Sequence, residues 1–147
     1  ALILTRQNLP LEKNSSEEKV AQGAYLISKA DKNAQYEIIA SGSEVSLAIS
    51  VQKSLAEKGI YIDVISMPST NRFDMLSKEG QAKILALPRN KRIALEMASG
   101  ATWYKYADHV ISLDEFGRSA PANEVLKFFG FTPEEITKKV EAIIKDE

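Results

Sequence analysis

The segment YEIIASGSEVSLAIS, residues 36–50, predicts a strand, a tight turn and a helix in succession. Residues 36–40 are almost continuously apolar, which is typical of a strand buried in a parallel sheet. Ser41 and Glu44 have the spacing of a capping box, an apolar stripe of helical period follows them, and Gly59 can end the helix. A strand–turn–helix unit of this kind indicates an α/β fold.

Four further apolar runs predict the remaining strands of one sheet, at residues 25–28, 60–65, 92–97 and 109–113. Short links through helices favour right-handed crossovers and parallel neighbours. The connection before the strand at Tyr36, residues 30–35, is too short for a helical crossover, so we expect an antiparallel hairpin there. The prediction is a three-layer α/β/α fold with a mixed, mostly parallel five-stranded sheet.

The end of the chain carries a second strong helix signal. Thr132 can cap the helix, Pro133 suits its first position, and Glu135 completes a capping box. Ile136 and Val140 begin an apolar face, so we expect this helix to pack across the sheet.

Composition limits the classes of function. The 147 residues suit one domain, and 44% hydrophobic residues can form a sizeable core. Nineteen Lys and Arg residues against twenty Asp and Glu residues give a net charge of −1, which argues against nucleic acid or an anionic membrane surface as partner. The chain has no cysteine, which fits a reducing cytosolic compartment, and no apolar run near the roughly 20 residues that cross a bilayer.

The first residues suggest the end of a separate structural unit. Residues 1–4 are apolar, like a buried strand, and Arg6 follows them. Ligands of parallel sheets bind beyond the carboxyl ends of strands, where the planar guanidinium of Arg6 would suit a phosphate. Polar residues at 10–23 predict a linker, and the folded domain is expected to occupy residues 24–147.

Other polar motifs have both a structural and a functional interpretation. The helix start at 41–44 could bind an anion, but Glu44 already supplies a negative group, so ordinary capping is favoured. WYKY at 103–106 could stack on nucleic-acid bases, although packing within the protein is favoured at this net charge. His109 has no metal-ligand partner at a recognisable spacing, which favours a structural role.

Charged residues near strand ends complete the candidates. A carboxylate at Glu96, inside an apolar run, is costly to bury without a partner, so we expect it at a sheet end or a domain interface. Asp114, Glu115 and Arg118 are interpreted as a polar exit from the last strand.

Five motifs, taken in their order along the chain, carry a family resemblance. They are LTRQNLP at 4–10, ASGSEVSLA at 40–48, VISMPST at 64–70, WYKY at 103–106 and FGRSAPA at 116–122. With these motifs the chain resembles the transketolases, specifically their carboxyl-terminal domain (24–147), preceded by a linker (10–23) and the last residues (1–9) of the middle, pyrimidine-binding domain. The resemblance covers essentially the whole chain.

The resemblance implies a parent enzyme of the pentose phosphate pathway that moves a two-carbon ketol unit from a ketose phosphate to an aldose phosphate. It implies thiamine diphosphate, magnesium or another divalent metal, and a cytoplasmic homodimer. In this family the cofactor and metal are held by the amino-terminal and middle domains, so no catalytic, cofactor or metal residue is expected here. The resemblance implies that Arg6 contacts the sugar phosphate and that Gln7 and Asn8 fix the turn in which Arg6 lies.

The resemblance also leaves alternatives open. Dihydroxyacetone synthases share much of the pattern, and the domain could act only as a regulatory or dimer-supporting module. Arg118 stands where many relatives have a smaller or acidic residue, so the resemblance implies nothing about the surface chemistry of 114–118. The isolated chain is expected to be inactive.

Overall fold

The computed structural model describes residues 8–146, and a five-stranded sheet forms its centre. The strands lie in the order β1-β3-β2-β4-β5. Their bounds are β1 Tyr25–Ser28, β2 Tyr36–Ala40, β3 Ile62–Ser66, β4 Arg92–Leu95 and β5 His109–Ile111. All five strands were predicted, and the last three begin or end within two residues of their predicted bounds.

The sheet is mixed and mostly parallel, as predicted. β2 pairs in parallel with β3 on one side and with β4 on the other, and β5 extends the parallel set. β1 is antiparallel, but it pairs with β3, so the predicted hairpin between β1 and β2 was wrong. Both edges of the central strand β2 are occupied by parallel neighbours, so β1 pairs with the outer edge of β3 instead.

Six α-helices connect and cover the strands of the described chain. Their bounds are α1 Glu17–Ala21, α2 Glu44–Ala56, α3 Thr70–Asp74, α4 Lys78–Ile84, α5 Ala122–Phe129 and α6 Pro133–Lys145. The short helices α1, α3 and α4 and the later helix α5 were not among the predicted elements, and α1 falls inside the segment predicted as a linker. Two 3₁₀ helices, Arg89–Lys91 and Ala101–Lys105, precede β4 and β5.

Two apolar layers enclose the sheet, because successive strand residues point to opposite faces. Ile38 belongs to the layer shared with α2 and α6, where Leu55 and Ile136 are buried. Ile39 belongs to the layer shared with α3 and the second 3₁₀ helix, where Phe73 and Trp103 are buried. The fold is therefore the predicted three-layer α/β/α arrangement.

The two predicted capping boxes have different outcomes. Thr132 caps α6 by accepting a hydrogen bond from the Glu135 amide at 3.3 Å, as the sequence predicts. The box at Ser41 was wrong, because α2 begins at Glu44 and Ser43 is its N-cap residue, without a side-chain capping bond. Helix α6 packs against α2, and its buried residues Ile136 and Val140 belong to the apolar layer on that face of the sheet. None of the helices within 8–146 is both long and apolar enough to cross a membrane.

Candidate functional site

The carboxyl ends of β2, β3, β4 and β5 meet at one end of the sheet, where ligands of such folds bind. The chain also enters the domain there, because Tyr25 at the start of β1 pairs with Ser66 at the end of β3. The carbonyl of Gly23 accepts a hydrogen bond from the Ser69 amide at 3.1 Å. This carboxyl end of the sheet is therefore the first place to look for a site.

The turn after β2 brings a buried carboxylate to this end. Gly42 turns the chain with a φ of +52°, and Glu44 starts α2 with only 6% of its surface exposed. The Ser43 hydroxyl donates to Glu44 Oε1 at 2.6 Å. Burial raises the pKa of Glu44, the Ser43 bond opposes that rise, and the negative charge of Glu96 adds to it. A buried carboxylate thus already lies in the first turn of α2, which favours ordinary helix-terminus pairing over binding of an anionic ligand.

Glu96 lies at the carboxyl end of the sheet, one residue beyond β4, which confirms the sequence expectation. Its two carboxylate oxygens accept from different donors, the Ala98 amide and the Trp103 indole, each at 3.0 Å. Trp103 is itself buried. Two neutral donors thus compensate the negative charge of Glu96. Its hydrogen bond with Trp103 links the end of β4 to the second 3₁₀ helix.

The aromatic motif at 103–106 packs inside the domain. Trp103 and Tyr106 are buried, and the Tyr106 ring lies edge-on to Phe73 with centroids 5.7 Å apart. Lys105 Nζ lies 2.6 Å from the Asp74 carboxylate, and this bond lowers the pKa of Asp74. Tyr104 is more than half exposed. The favoured interpretation, packing rather than base stacking, agrees with these contacts.

The remaining predicted candidates are dispersed. His109 Nε2 lies 3.1 Å from the Asn90 carbonyl oxygen, at the opposite, amino end of β5. The part of the chain that the structure describes contains no group of three or more His, Cys, Asp or Glu side chains that could hold a metal. Arg6 and Gln7 lie outside the described residues, whereas Asn8 is described and exposed. The phosphate contact by Arg6 therefore stays a prediction.

Asp114, Glu115 and Arg118, the predicted polar exit from β5, are all exposed. Asp114 accepts from the Ser112 hydroxyl at 3.0 Å, and hydrogen bonds from Ser99 and Ser112 lower the pKa of Asp114. The guanidinium of Arg118 lies over the Phe128 ring, 3.6 Å from its centroid. Arg118 therefore contacts α5 of its own chain.

Two cavities show where small molecules could fit on the described surface. One, of about 240 Å³, lies at the carboxyl end between the first turns of α2 and α6 and includes Glu44 and Phe131. The other, of about 320 Å³, lies near the amino end of β4, among Lys78, Arg92 and Lys105. Arg92 already donates to three backbone carbonyls, so part of the positive charge in the second cavity has a structural role.

Sequence reasoning missed a buried ion pair between Glu37 and Arg92. The sequence did contain a signal for it, a carboxylate within an apolar run. Glu37 interrupts the run of β2, and Glu96 was noted for the same reason at the end of β4. Glu37 is 2% exposed and lies beside Asp63 of β3 in the parallel register. Glu37 lies at the amino end of the sheet, opposite the carboxyl end where a ligand site was expected.

Comparisons with known proteins address the family directly. Residues 23–132 match the family model described as the transketolase-like TK C-terminal domain. A probable transketolase of Streptococcus pneumoniae is 44% identical over 143 residues, covering 95% of this chain and 22% of that protein. A transketolase of Staphylococcus epidermidis is 42% identical over 149 residues, covering 97% of this chain and 22% of its own length.

A solved structure agrees with the family match. Transketolase from Pichia stipitis in complex with sedoheptulose-7-phosphate superposes with a TM-score of 0.88 at 36% identity, covering 95% of this chain and 20% of that one. The chain spans about a fifth of the length of the curated relatives it matches. On the family match and the fold together, this chain belongs to the family of transketolase C-terminal domains.

Proposed function

We propose that this chain is the carboxyl-terminal part of a transketolase, which transfers a two-carbon ketol unit from a ketose phosphate to an aldose phosphate. The observation that carries this proposal is the family match over residues 23–132, supported by 44% identity to the pneumococcal protein. The sedoheptulose-7-phosphate complex of the Pichia relative supports a phosphorylated ketose as substrate class. The parent enzyme would act as a cytoplasmic homodimer in the pentose phosphate pathway.

We propose further that cofactor chemistry belongs to the rest of the parent. Thiamine diphosphate, with magnesium or another divalent metal, supplies a carbanion nucleophile and an electron sink when it is bound. We assign both groups to the amino-terminal and middle domains of the parent, as the family resemblance implies. Productive cofactor binding by the isolated chain, measured by titration calorimetry, would contradict this assignment.

The proposed contribution of this chain to substrate binding is one phosphate contact. Arg6, in the motif Thr5-Arg6-Gln7, would hold the sugar phosphate through the planar donors of its guanidinium. A grip on the phosphate acts at a distance from the reacting carbon and orients the sugar. The remaining contribution, from residues 24–147, would be support of the neighbouring domains and of the dimer.

The test uses the full-length parent and two acceptors, a phosphorylated aldose and its unphosphorylated analogue. We expect Arg6→Ala to lower kcat/KM for the phosphorylated acceptor by about 10–150-fold, because a charge-assisted contact contributes roughly 1.5–3 kcal/mol. The unphosphorylated acceptor should be almost unaffected. Arg6→Lys keeps the charge without the planar fork and should lose an intermediate amount.

Lys13→Ala provides a matched control, because Lys13 is an exposed cation a few residues further along the same segment. It should leave both acceptors unchanged. Equal losses on both acceptors for Arg6→Ala, with the fold intact, would assign Arg6 a structural role. No ketol transfer by the unmodified parent would overturn the proposed function itself.

A further inference from the structure

One of the two cavities lies where the order of the parallel strands reverses. From β2 the chain passes to β3 on one side, and it later returns to β4 on the other side of β2. Such a reversal leaves a crevice beyond the carboxyl ends of the two strands, where α/β folds commonly bind ligands. The cavity of about 240 Å³ lies at this crevice, because its lining includes Glu44, which follows β2, and Met97, which follows β4. It is called the switch-point cavity below.

The polar side of the switch-point cavity consists of hydrogen-bond acceptors. Ser43, Ser46 and Ser50 recur along one face of α2, beginning at its N-cap, and line the cavity together with Glu44. Ser43 donates its hydroxyl hydrogen to Glu44 Oε1 at 2.6 Å. Ser46 donates to the carbonyl of Ser43 at 3.1 Å, and Ser50 donates to that of Ser46 at 3.0 Å. These four side chains therefore offer the cavity a carboxylate and oxygen lone pairs, whereas their hydroxyl hydrogens are already used within the chain.

No cation of the described chain balances the charge of Glu44. The residue is only 6% exposed, and Ser43 is the one other residue within 8–146 that donates a hydrogen bond to its carboxylate. Burial and the negative charge of Glu96 both raise the pKa of Glu44, as expected of a carboxyl group without a positive partner. Glu96 differs, because the Ala98 amide and the Trp103 indole donate to it. A cation brought by a ligand would supply what Glu44 lacks.

The other side of the switch-point cavity is apolar. Met97, Phe131 and Pro133 line it, and Phe131 is fixed in the core with 2% of its surface exposed. At about 240 Å³ the cavity is smaller than the roughly 300–1,000 Å³ of drug-sized sites, so its ligand must be small. The lining thus fits a compact molecule with one donor-rich end and one apolar end.

We propose that the switch-point cavity binds a small organic ammonium ion, with the ammonium group at Glu44 and the apolar body against Met97 and Phe131. An ammonium group carries hydrogen-bond donors and no acceptor, which complements the carboxylate and the serine oxygens. A phosphate or carboxylate ligand would instead meet the charge of Glu44. Ketol transfer between sugar phosphates involves no amine, so this site goes beyond the proposed function and does not depend on it.

The test titrates phenethylamine into the full-length parent at neutral pH and follows the bound ligand by saturation-transfer NMR. Two probes of similar shape serve as controls, because phenethyl alcohol replaces the ammonium group by a neutral hydroxyl and phenylacetate replaces it by an anion. We expect saturable binding of the amine with a Kd at least about tenfold below that of the alcohol. Phenylacetate should bind more weakly than either.

Glu44→Gln removes the charge while it keeps the shape of the side chain. It should weaken amine binding at least about tenfold and leave the alcohol almost unaffected. Glu79→Gln is the matched control, because Glu79 also lies in the first turn of a helix, α4, but is exposed and does not line the cavity. Ser50→Leu narrows the cavity without changing a charge, so it should weaken the amine and the alcohol together.

The proposal is overturned if the unmodified parent shows no saturable amine binding, or if it binds the alcohol as tightly as the amine. Equal affinities of the Glu44→Gln and Glu79→Gln proteins for phenethylamine would also overturn it, and so would an unchanged affinity in Ser50→Leu. Circular dichroism of each variant verifies that it is folded. Ketol transfer is assayed separately on the unmodified parent, so failure of the proposed function is distinguishable from failure of amine binding.

Discussion

The Glu37 carboxylate lies 3.4 Å from the Arg92 guanidinium, measured from Oε2 to Nε, in the interior of the amino end of the sheet. Glu37 Oε1 accepts from the amides of Ala86 and Leu87 at 2.8 and 3.1 Å. Arg92 donates to the carbonyls of Leu85, Leu87 and Tyr106. The pair therefore fixes the link between α4 and β4 to the end of the sheet.

Replacing Arg92 by Ala should destabilise the chain strongly. The change leaves Glu37 buried without its cation and removes a donor from three carbonyls, and burial already raises the pKa of Glu37. Breaking a buried pair by removing one partner costs about 3–5 kcal/mol. The measurement is the free energy of unfolding of the isolated chain in urea.

Arg89→Ala is the matched control for Arg92→Ala. Arg89 also pairs with a carboxylate, Asp108, at 2.8 Å, but both side chains are about half exposed. Exposed pairs of this kind contribute about 0–1 kcal/mol. Similar losses for the two variants would show that the Glu37–Arg92 pair has no special structural role.

Gly23 should tolerate no side chain, for a reason that the structure makes specific. Its φ is +84°, and an added Cβ would lie 2.3 Å from the Phe73 amide nitrogen and 2.5 Å from the Ser69 carbonyl oxygen. Backbone atoms cannot move aside as a flexible side chain can. We expect Gly23→Ala to lower the free energy of unfolding well beyond the roughly 1–2 kcal/mol that left-handed backbone alone costs.

Gly59→Ala separates the steric overlap at Gly23 from the backbone conformation. Gly59 has a φ of +79°, and no heavy atom lies within 4 Å of a built Cβ. It should lose only about 1–2 kcal/mol in the same urea experiment. If the two alanine variants unfold at the same denaturant concentration, the close contact at Gly23 is relieved by movement and the explanation fails.

The sheet was predictable because each strand is a local apolar run, whereas the partner of β1 was not. Which strand pairs with which depends on competition for edges among residues distant in sequence. A short connection suggested pairing of β1 with β2, but β3 and β4 occupy both edges of β2. The helices α3 and α4, with five and seven residues, are too short to show an apolar stripe of helical period.

The capping signals show how far a local pattern is reliable. Thr132 and Glu135 have the same spacing as Ser41 and Glu44, yet only the first pair occupies the N-cap and third helical positions. Gly42 adopts a left-handed conformation between Ser41 and Glu44, which delays the start of α2 to Glu44 itself. A capping box read from sequence assumes where the helix starts, and the intervening glycine invalidates that assumption.

The sequence predicted where the polar side chains lie better than it predicted their hydrogen-bond partners. Glu96 was expected at a sheet end because a carboxylate in an apolar run needs compensation, and it lies there. Its donors, the Ala98 amide and the Trp103 indole, belong to the turn after β4 and to the second 3₁₀ helix, and no local sequence pattern fixes the path of the chain between them. The proposed phosphate contact of Arg6 is based on the family resemblance, and it can be tested only in the full-length protein.

Glu44 gives a prediction about pH, because burial raises the pKa of its carboxyl group. A folded state that holds the proton more readily than the unfolded chain is favoured at low pH. The contribution of Glu44 to the free energy of unfolding is therefore largest below the unfolded pKa of about 4.3, and it falls until the pH passes the higher folded pKa. Above that pH the contribution stays constant at its lower value.

Glu44→Gln should remove this decline, since glutamine does not titrate. We expect the difference in unfolding free energy, wild type minus variant, to decrease as the pH rises from 4 and then to level off, measured in urea on the isolated chain. Glu124→Gln is the matched control, because Glu124 also lies in the first turn of a helix but is exposed. If the two glutamine variants give the same curve, or if the difference for Glu44→Gln increases with pH, burial does not control the titration of Glu44.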